Sequence, residues 1–148
     1  MKRFLWIGCF FSSLILISQL AIIRWNVSNS LPGLMFIGIT WSFTPQRGDI
    51  VSFDHPLFAV PIAKCVVGVA GDRIEIFNGH VVVNGIDRGS ILEKSPRSGK
   101  PLTPIQSCTI PDGYVYVWAP HLESFDSRYQ DMGLIHISRV KERLWRVF

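Results

Sequence analysis

The sequence offers little material for metal or disulfide chemistry. Its three cysteines, Cys9, Cys65 and Cys108, form no C-x-x-C pair, and its four histidines, His55, His80, His121 and His136, are scattered. A zinc site draws on closely spaced Cys and His, so none is supported, and no metal or other cofactor is expected. Cys9 falls in an apolar run and reads as a lipid-facing or packed hydrophobe. Cys65 and Cys108 stay open between a disulfide, which an oxidising compartment allows, and two buried free thiols, the plainer reading. Charge is also scarce. With 18% charged, 48% hydrophobic and 12% aromatic residues, the chain is neither disordered nor of low complexity. Nine prolines and twelve glycines recur without a period, which excludes collagen-like and solenoid repeats. No long amphipathic helical pattern occurs, and 148 residues suit a single folded domain.

The net charge of +4 points away from nucleic acid once it is located. Lys2, Arg3 and Arg24 carry most of it, and residues 25–148 hold twelve Lys and Arg against eleven Asp and Glu. Within that body, Arg139, Lys141, Arg143 and Arg146 gather at the C-terminus, leaving residues 25–138 net acidic. A nucleic-acid reader needs a basic face on its folded domain, so no nucleic-acid partner is expected. Positive charge beside an apolar segment suits an anionic membrane surface instead. That segment is Phe4–Ile23, twenty residues without a charge. A helix of that length spans about 30 Å, one hydrocarbon core. A cleaved signal peptide would have an apolar core of about 7–15 residues and a small-x-small end, and Ser18-Gln19-Leu20-Ala21 is a poor one. The reading is a cytoplasmic tip and retained anchor over 1–24 and a folded body over 25–148. Lys2 and Arg3 place the N-terminus in the cytoplasm, with inner-membrane lipid as partner and the body on the periplasmic side of a bacterial inner membrane.

Beyond the anchor the pattern is that of strands. Asp49–Phe53 is β-rich, Phe58–Val69 is a long apolar run broken by one lysine, and Arg73–Phe77 and His80–Val83 alternate about Asn78-Gly79. Asn84-Gly85 offers a second tight turn of that type. Ser90–Pro104 is polar and Pro/Gly-rich, with Lys94, Arg97 and Lys100, and reads as an exposed loop. Pro111-Asp112-Gly113 leads into a strand over Tyr114–Ala119, and Leu134–Phe148 is part strand and part short helix. A mostly β fold, an antiparallel β-barrel or folded sheet, is the natural architecture.

Two places could carry chemistry. In Ser28-Asn29-Ser30-Leu31-Pro32-Gly33, proline and glycine force a turn that fixes a serine hydroxyl just ahead of it, although such a segment is more often only a loop. The second is Lys64, inside an apolar strand where Ile62, Lys64 and Val66 share one face and Ala63, Cys65 and Val67 the other. At a pKa near 10.4 a lysine is neutral in only about one molecule in 2,500 at pH 7. Burial disfavours the ammonium and would make the amine a competent base. The commoner alternative is a packed stem with the amine snorkelling out at a sheet edge.

Taken in order, five segments resemble the type I signal peptidases. Ser28-Asn29-Ser30-Leu31-Pro32 resembles their serine box, and the Pro32-Gly33 ending is similar to the TraF-type conjugal-transfer and pilin-maturation branch. Gly48-Asp49-Ile50-Val51 resembles their "GD-I-V" strand, and Lys64 to Asp72 their lysine box. Val83-Asn84-Gly85 resembles the "VNG" hairpin, and Ser124-Phe125-Asp126-Ser127-Arg128-Tyr129 with Gly133 the "S-x-D-S-R-Y" box. The resemblance spans about residues 26–139, and the small size, without a large inserted second domain, is also similar to the TraF-type branch.

The resemblance implies a membrane-anchored serine endopeptidase with Ser30 as nucleophile and Lys64 as neutral general base, the Ser-Lys variant of triad logic. The Ser30 backbone N–H and the Ser28 hydroxyl would form the oxyanion hole, where one donor is worth about 3–4 kcal/mol of barrier. Ser124 would orient the Lys64 amine, and Asp126 with Arg128 would form a supporting ion pair. The implied substrate is an exported precursor, in the narrower reading a conjugative pilin precursor whose ends could be joined, with conjugation or secretion machinery as the setting. Asn29 stands where the family often has glycine, Cys65 where arginine is usual and Ala70 where proline is common, and Ala119–Glu123 replaces a "GD-N-R" run. These departures motivate an alternative, a non-catalytic scaffold of an envelope secretion or conjugation apparatus that retains the fold. A second rival, a Ser/His/Asp hydrolase using His121 and Asp126, has no nucleophile elbow near it.

Overall fold

Short runs of alternating side chains, separated by glycine-containing turns, give a structure built almost wholly of antiparallel strands. The computed structural model describes residues 21–25, 31–33, 35–40 and 42–147. In chain order these form β1 (Ala21–Trp25), β2 (Met35–Ile39), β3 (Ile50–Phe53), β4 (Ile62–Gly68), β5 (Arg73–Phe77), β6 (His80–Val83) and β7 (Ile86–Ser90). Then come β8 (Cys108–Thr109), β9 (Tyr114–Trp118), β10 (Ile135–His136), a single 3-10 turn over Ile137–Arg139, and β11 (Val140–Arg146). One sheet has the order β1-β2-β11-β3-β4-β9-β10 and the other β7-β6-β5-β8. Among the described residues both sheets are open, so of the two architectures expected, the folded sheet is found and the closed barrel is not.

The small sheet follows from its turns. Asn78 and Gly79, and again Asn84 and Gly85, take φ of 49° and 76°. Two successive left-handed residues make the turn whose twist matches a two-residue hairpin. β5, β6 and β7 therefore form a meander whose registers centre on those pairs.

The passage from β4 to β5 joins the two sheets, and Asp72 fixes it. Its carboxylate accepts from the Val69 amide at 2.8 Å and from Asn84 Nδ2 at 2.8 Å, and it pairs with Arg47. Burial pushes this carboxyl up, but those donors outweigh burial and hold it below the usual range. Apolar side chains then fill both faces of β4. Val66 packs with Val51, Phe53, Val115, Val117, Met132 and Ile135, while Val67 packs with Ile74, Val81, Val83, Ile110 and Tyr116 between the sheets. A third group, Leu31, Phe36, Ala119 and Leu144, packs against half-buried Ile50, Ala63 and Cys65.

Several expectations are refined. Among the described residues no helix is long and apolar enough to cross a membrane. Residues 1–20, which hold most of the expected span and Cys9, lie outside the described residues. Ala21, Ile22 and Ile23, placed in that span by hydropathy, instead lie in β1 opposite Ile39, Gly38 and Ile37. In Phe58–Val69 the strand begins only at Ile62, after Pro61, which has no N–H to give a ladder. Leu134–Phe148 resolves into β10, the 3-10 turn and β11. Cys65 and Cys108 are both free, Cys65 half-buried and Cys108 exposed, because β8 is a two-residue strand at the sheet edge.

Gly68 sets how closely the sheets approach. A Cβ there would stand 2.7 Å from Ile110 Cδ1, 3.0 Å from Tyr116 Cβ and 3.2 Å from Val83 Cγ1. Gly68→Ala should therefore destabilise the fold by about 1–3 kcal/mol through overpacking, read as a lower urea midpoint at unchanged slope.

Candidate active site

Lys64 stands in the middle of β4, opposite Val51 of β3, and is only 5% exposed. Burial lowers its amine from 10.5 to about 8; the Asp126 carboxylate raises it in part, and the Arg128 and Arg97 charges push it further down. Lys64 Nζ donates to Ser124 Oγ at 2.7 Å. The side chain therefore does not snorkel to a sheet edge, the commoner alternative. Its amine ends inside the protein, where among the described residues it is bonded to the Ser124 hydroxyl.

Ser124 in turn is held by the segment that carries it. Its amide donates to the His121 carbonyl at 2.9 Å, and its own carbonyl accepts from Arg128 Nη2 at 3.1 Å. Arg128 is 1% exposed and spends its guanidinium on this task. Nε donates to Asp126 Oδ1 at 2.9 Å and Nη2 to Asp126 Oδ2 at 3.1 Å, a two-pronged pair with a fully buried carboxylate. Nη2 also reaches the His121 and Leu122 carbonyls, and Nη1 the Ser90 carbonyl. Burial alone would lower the Arg128 pKa, but the bonds to Asp126 reverse that and keep it charged. Asp126 additionally accepts from the Ala119 and Arg128 amides, which closes the turn on the end of β9. Ser127 completes it: its hydroxyl donates to the Gly133 carbonyl at 2.6 Å and accepts from the Val117 amide at 3.1 Å.

The sequence motif thus brings together Lys64, Ser124, Asp126 and Arg128. Ser28 and Ser30 lie outside the described residues. Leu31, next in chain to Ser30, is buried with Ala119 and against Ala63 and Cys65, the two chain neighbours of Lys64. The rival use of His121 and Asp126 is not supported. The Asp126 oxygens are taken by Arg128 and backbone amides, while the exposed His121 ring accepts from the Glu123 amide at 3.3 Å. Burial pushes the Cys65 thiol up, so it is not primed as a thiolate. Among the described residues no group of three or more His, Cys, Asp or Glu is placed to hold a metal ion.

Three features escape the sequence reading. Arg128 reaches four carbonyls besides its carboxylate partner, and nothing in its local sequence signals those contacts. Gly89, at φ 104°, leaves room for it, since a Cβ there would stand 3.1 Å from Nη1. The loop after β7 is also tied to the site, through Ile105 N to the Arg128 carbonyl, Gln130 N to Thr103 O, and Leu92 N to Tyr129 Oη. Chemically, a buried amine with a pKa near 8 and one hydroxyl partner can accept a proton from a second hydroxyl brought beside it.

The model of the family described as signal peptidase, peptidase S26, matches residues 3–146. Over 97 residues the chain is 27% identical to the conjugal transfer protein TraF of Agrobacterium fabrum, covering 63% of this chain and 55% of that protein. Over 89 residues it is 34% identical to a probable conjugal transfer protein TraF of Sinorhizobium fredii, covering 57% of this chain and 45% of that protein. The chain thus spans about half the length of these curated relatives. A crystal structure of a signal peptidase I from Enterococcus faecalis is similar at a TM-score of 0.46 and 24% identity, covering 70% of this chain and 98% of that one.

Two stability measurements check the site. The folded protein holds the Lys64 amine below its unfolded value, so the group stabilises the fold above about 10.5 and that contribution is lost as pH falls through about 8. Lys64→Met should therefore raise stability by about 1–3 kcal/mol at pH 7, less as pH climbs towards 10, in urea melts at several pH values. Arg128→Leu should cost about 3–5 kcal/mol, because it leaves the Asp126 carboxylate buried without its partner.

Proposed function

The chain belongs to the signal peptidase, peptidase S26, family, and on that premise we propose that it is a Ser-Lys endopeptidase that processes exported precursor proteins. Ser30 is the nucleophile. Lys64, neutral, takes the Ser30 proton as the hydroxyl attacks the scissile carbonyl, and its ammonium then protonates the leaving amine. Water, activated by the same amine, hydrolyses the Ser30 ester. The Ser30 N–H and the Ser28 hydroxyl stabilise the oxyanion. Ser124 orients Lys64, and the Asp126–Arg128 pair positions Ser124.

The observation that carries this reading is the buried Lys64 amine, with a pKa near 8, on Ser124 Oγ. At that pKa about one molecule in eleven has the free amine at pH 7, some hundreds of times more than for a solvated lysine. The burial of Leu31 beside the chain neighbours of Lys64 supports bringing the preceding serine to the same place. A peptide also has somewhere to lie. Among the described strands β9 pairs with β4 only at Cys65, Val66 and Gly68, so Ile62–Lys64 have β3 on one side and an open edge on the other. An extended substrate adds there as a strand.

The TraF proteins of the two relatives, named for conjugal transfer, support the narrower part of the proposal: the substrate is a conjugative pilin precursor, and the protein works with conjugation machinery. An acyl-enzyme at Ser30 could then pass to a pilin amine, joining the ends, instead of to water. An N-terminal anchor in the inner membrane, with the body on the periplasmic side, would hold the site where precursors emerge and raise their local concentration.

Ser30→Ala and Lys64→Ala should each abolish cleavage of a co-expressed precursor while thermal unfolding stays cooperative. Because the unprotonated amine is the active form, kcat/KM should rise about tenfold per pH unit up to about 8 and level off above it. Full activity in either variant, or a flat profile between pH 6 and 9, overturns the dyad.

A further inference from the structure

Between β7 and β8 the polar loop is itself ordered as a small hairpin. The Leu102 amide donates to the Glu93 carbonyl at 2.9 Å, Lys94 bridges to Pro101, and the Ser95 amide donates to the Lys100 carbonyl at 2.8 Å. At the tip the Gly99 amide donates to the Ser95 carbonyl at 2.8 Å, with Gly99 at φ 67°, a left-handed position that glycine takes without strain. The base of the hairpin is fastened to the segment that carries Ser124. Ile105 N donates to the Arg128 carbonyl and Gln130 N to the Thr103 carbonyl, both at 2.8 Å, and Pro104 bridges to Tyr129. The arm is therefore a fixed projection rooted beside the hydroxyl that holds Lys64.

What the arm carries is positive charge. Lys94, Arg97 and Lys100 are all exposed, and none pairs with a carboxylate among the described residues. Arg47, Arg73 and Arg128, by contrast, are each paired, with Asp72, Glu75 and Asp126. The unpaired cations fall close together on a body whose residues 25–138 are net acidic. Exposed cations are commonly only solvated, but Arg97 has a second property. Its charge is felt at the buried Lys64 amine and pushes it down. Exposed charges are screened beyond about 10 Å, so Arg97 and that amine are near neighbours in space. Asp126, whose charge also reaches the amine, is not free to neutralise Arg97, because Arg128 and two backbone amides occupy its oxygens.

We propose that the Lys94–Lys100 arm reads a carboxylate of the precursor: Arg97 binds an acidic side chain close to the bond to be cut, and Lys94 and Lys100 steer it in. An extended chain advances about 3.3 Å per residue, so the acidic residue lies within about three positions of that bond. The guanidinium fork can donate to both oxygens of a carboxylate, which a lysine cannot match. The proposal rests on the peptidase reading and adds to it a charge preference in the substrate. Because the hairpin is ordered before the substrate arrives, little ordering cost is due on binding.

The test uses the full chain in phosphatidylcholine nanodiscs. Three fluorescent peptides share a centre of small residues, flanked on both sides by pairs of Asp, of Asn or of Lys. With Ser30→Ala, fluorescence anisotropy should give the Asp peptide a Kd about fivefold below that of the Asn peptide, a gap that narrows in ~0.5 M salt. Arg97→Gln should remove the gap, and Arg97→Glu should reverse the preference towards the Lys peptide. Arg97 is exposed, so thermal melting should be unchanged in both. In the cleaving chain, Arg97→Gln should also move the pH profile of kcat/KM for the Asn peptide upward, since one charge opposing the Lys64 ammonium is gone. Equal Kd values for the Asp and Asn peptides overturn the reader, and continued cleavage leaves the peptidase intact. A preference that survives Arg97→Gln overturns it as well. Equal peptide Kd values with weaker binding of the Arg97→Glu chain to phosphatidylglycerol vesicles overturn it by assigning the arm to lipid. If no peptide is cleaved but the Asp preference appears and reverses in Arg97→Glu, the peptidase reading fails and the carboxylate reader stands.

Discussion

A cation that cannot comfortably remain one governs this structure. Lys64 is carried on a strand whose neighbours are aliphatic on both faces, and its side chain is buried. Desolvation works against the ammonium, and two nearby arginine charges add to it. What keeps the amine from being a buried defect is one hydroxyl, and what keeps that hydroxyl in place is a second, larger buried charge. Arg128 grips Asp126 with two donors and gathers the carbonyls of His121, Leu122 and Ser124 around itself. The ion pair is thus costly as a source of stability but well suited to specifying one conformation of the turn.

That arrangement depends on β4 and β9, neighbours in the seven-stranded sheet, which pack against a different layer on each face. The strands supply apolar side chains to the core of the large sheet with one face and to the layer between the sheets with the other. Gly68 pairs with Tyr116 across the strands and lies close against Ile110 and Val83, and the register of β4 on β9 shifts between Val66 and Gly68. β9 ends opposite Cys65 and its chain turns away into the Ser124 segment, so among the described strands Ile62–Lys64 have no partner on that side. The same geometry buries Lys64 and leaves its strand, among the described strands, without a partner on that side. In the proposed reading this is the division of labour of the site: side chain inward for proton transfer, main chain outward for substrate.

Much of this could be read from residues in order. Arg73–Phe77 and His80–Val83 fold with the boundaries their alternation suggests, since an Asn-Gly pair dictates its own turn and the turn dictates register. The polar loop after β7 and the turn before Tyr114 were also legible, because each depends on local chemistry, whereas local pattern favoured a Lys64 amine snorkelling out at a sheet edge and tertiary packing buries it. β1 and β8 were not. β1 borrows its partner from β2, and β8 is two residues long, so neither leaves a periodic trace of its own. Cys108 is exposed for the same reason.

By itself the amino-acid sequence determined a mostly β body, the two tight hairpins, an isolated lysine among aliphatics, and motifs placing Ser124, Asp126 and Arg128 in one short segment. Those follow from side-chain period and turn propensity, which act over a few residues. Only the tertiary structure decided that the sheets stay open among the described residues, that Lys64 ends on Ser124 sixty residues away, that Arg128 spans to Ser90 and past Gly89, and that six apolar residues between β3 and β4 stand exposed. Those are matters of which distant surfaces meet, and long-range packing leaves no local periodicity from which to infer them.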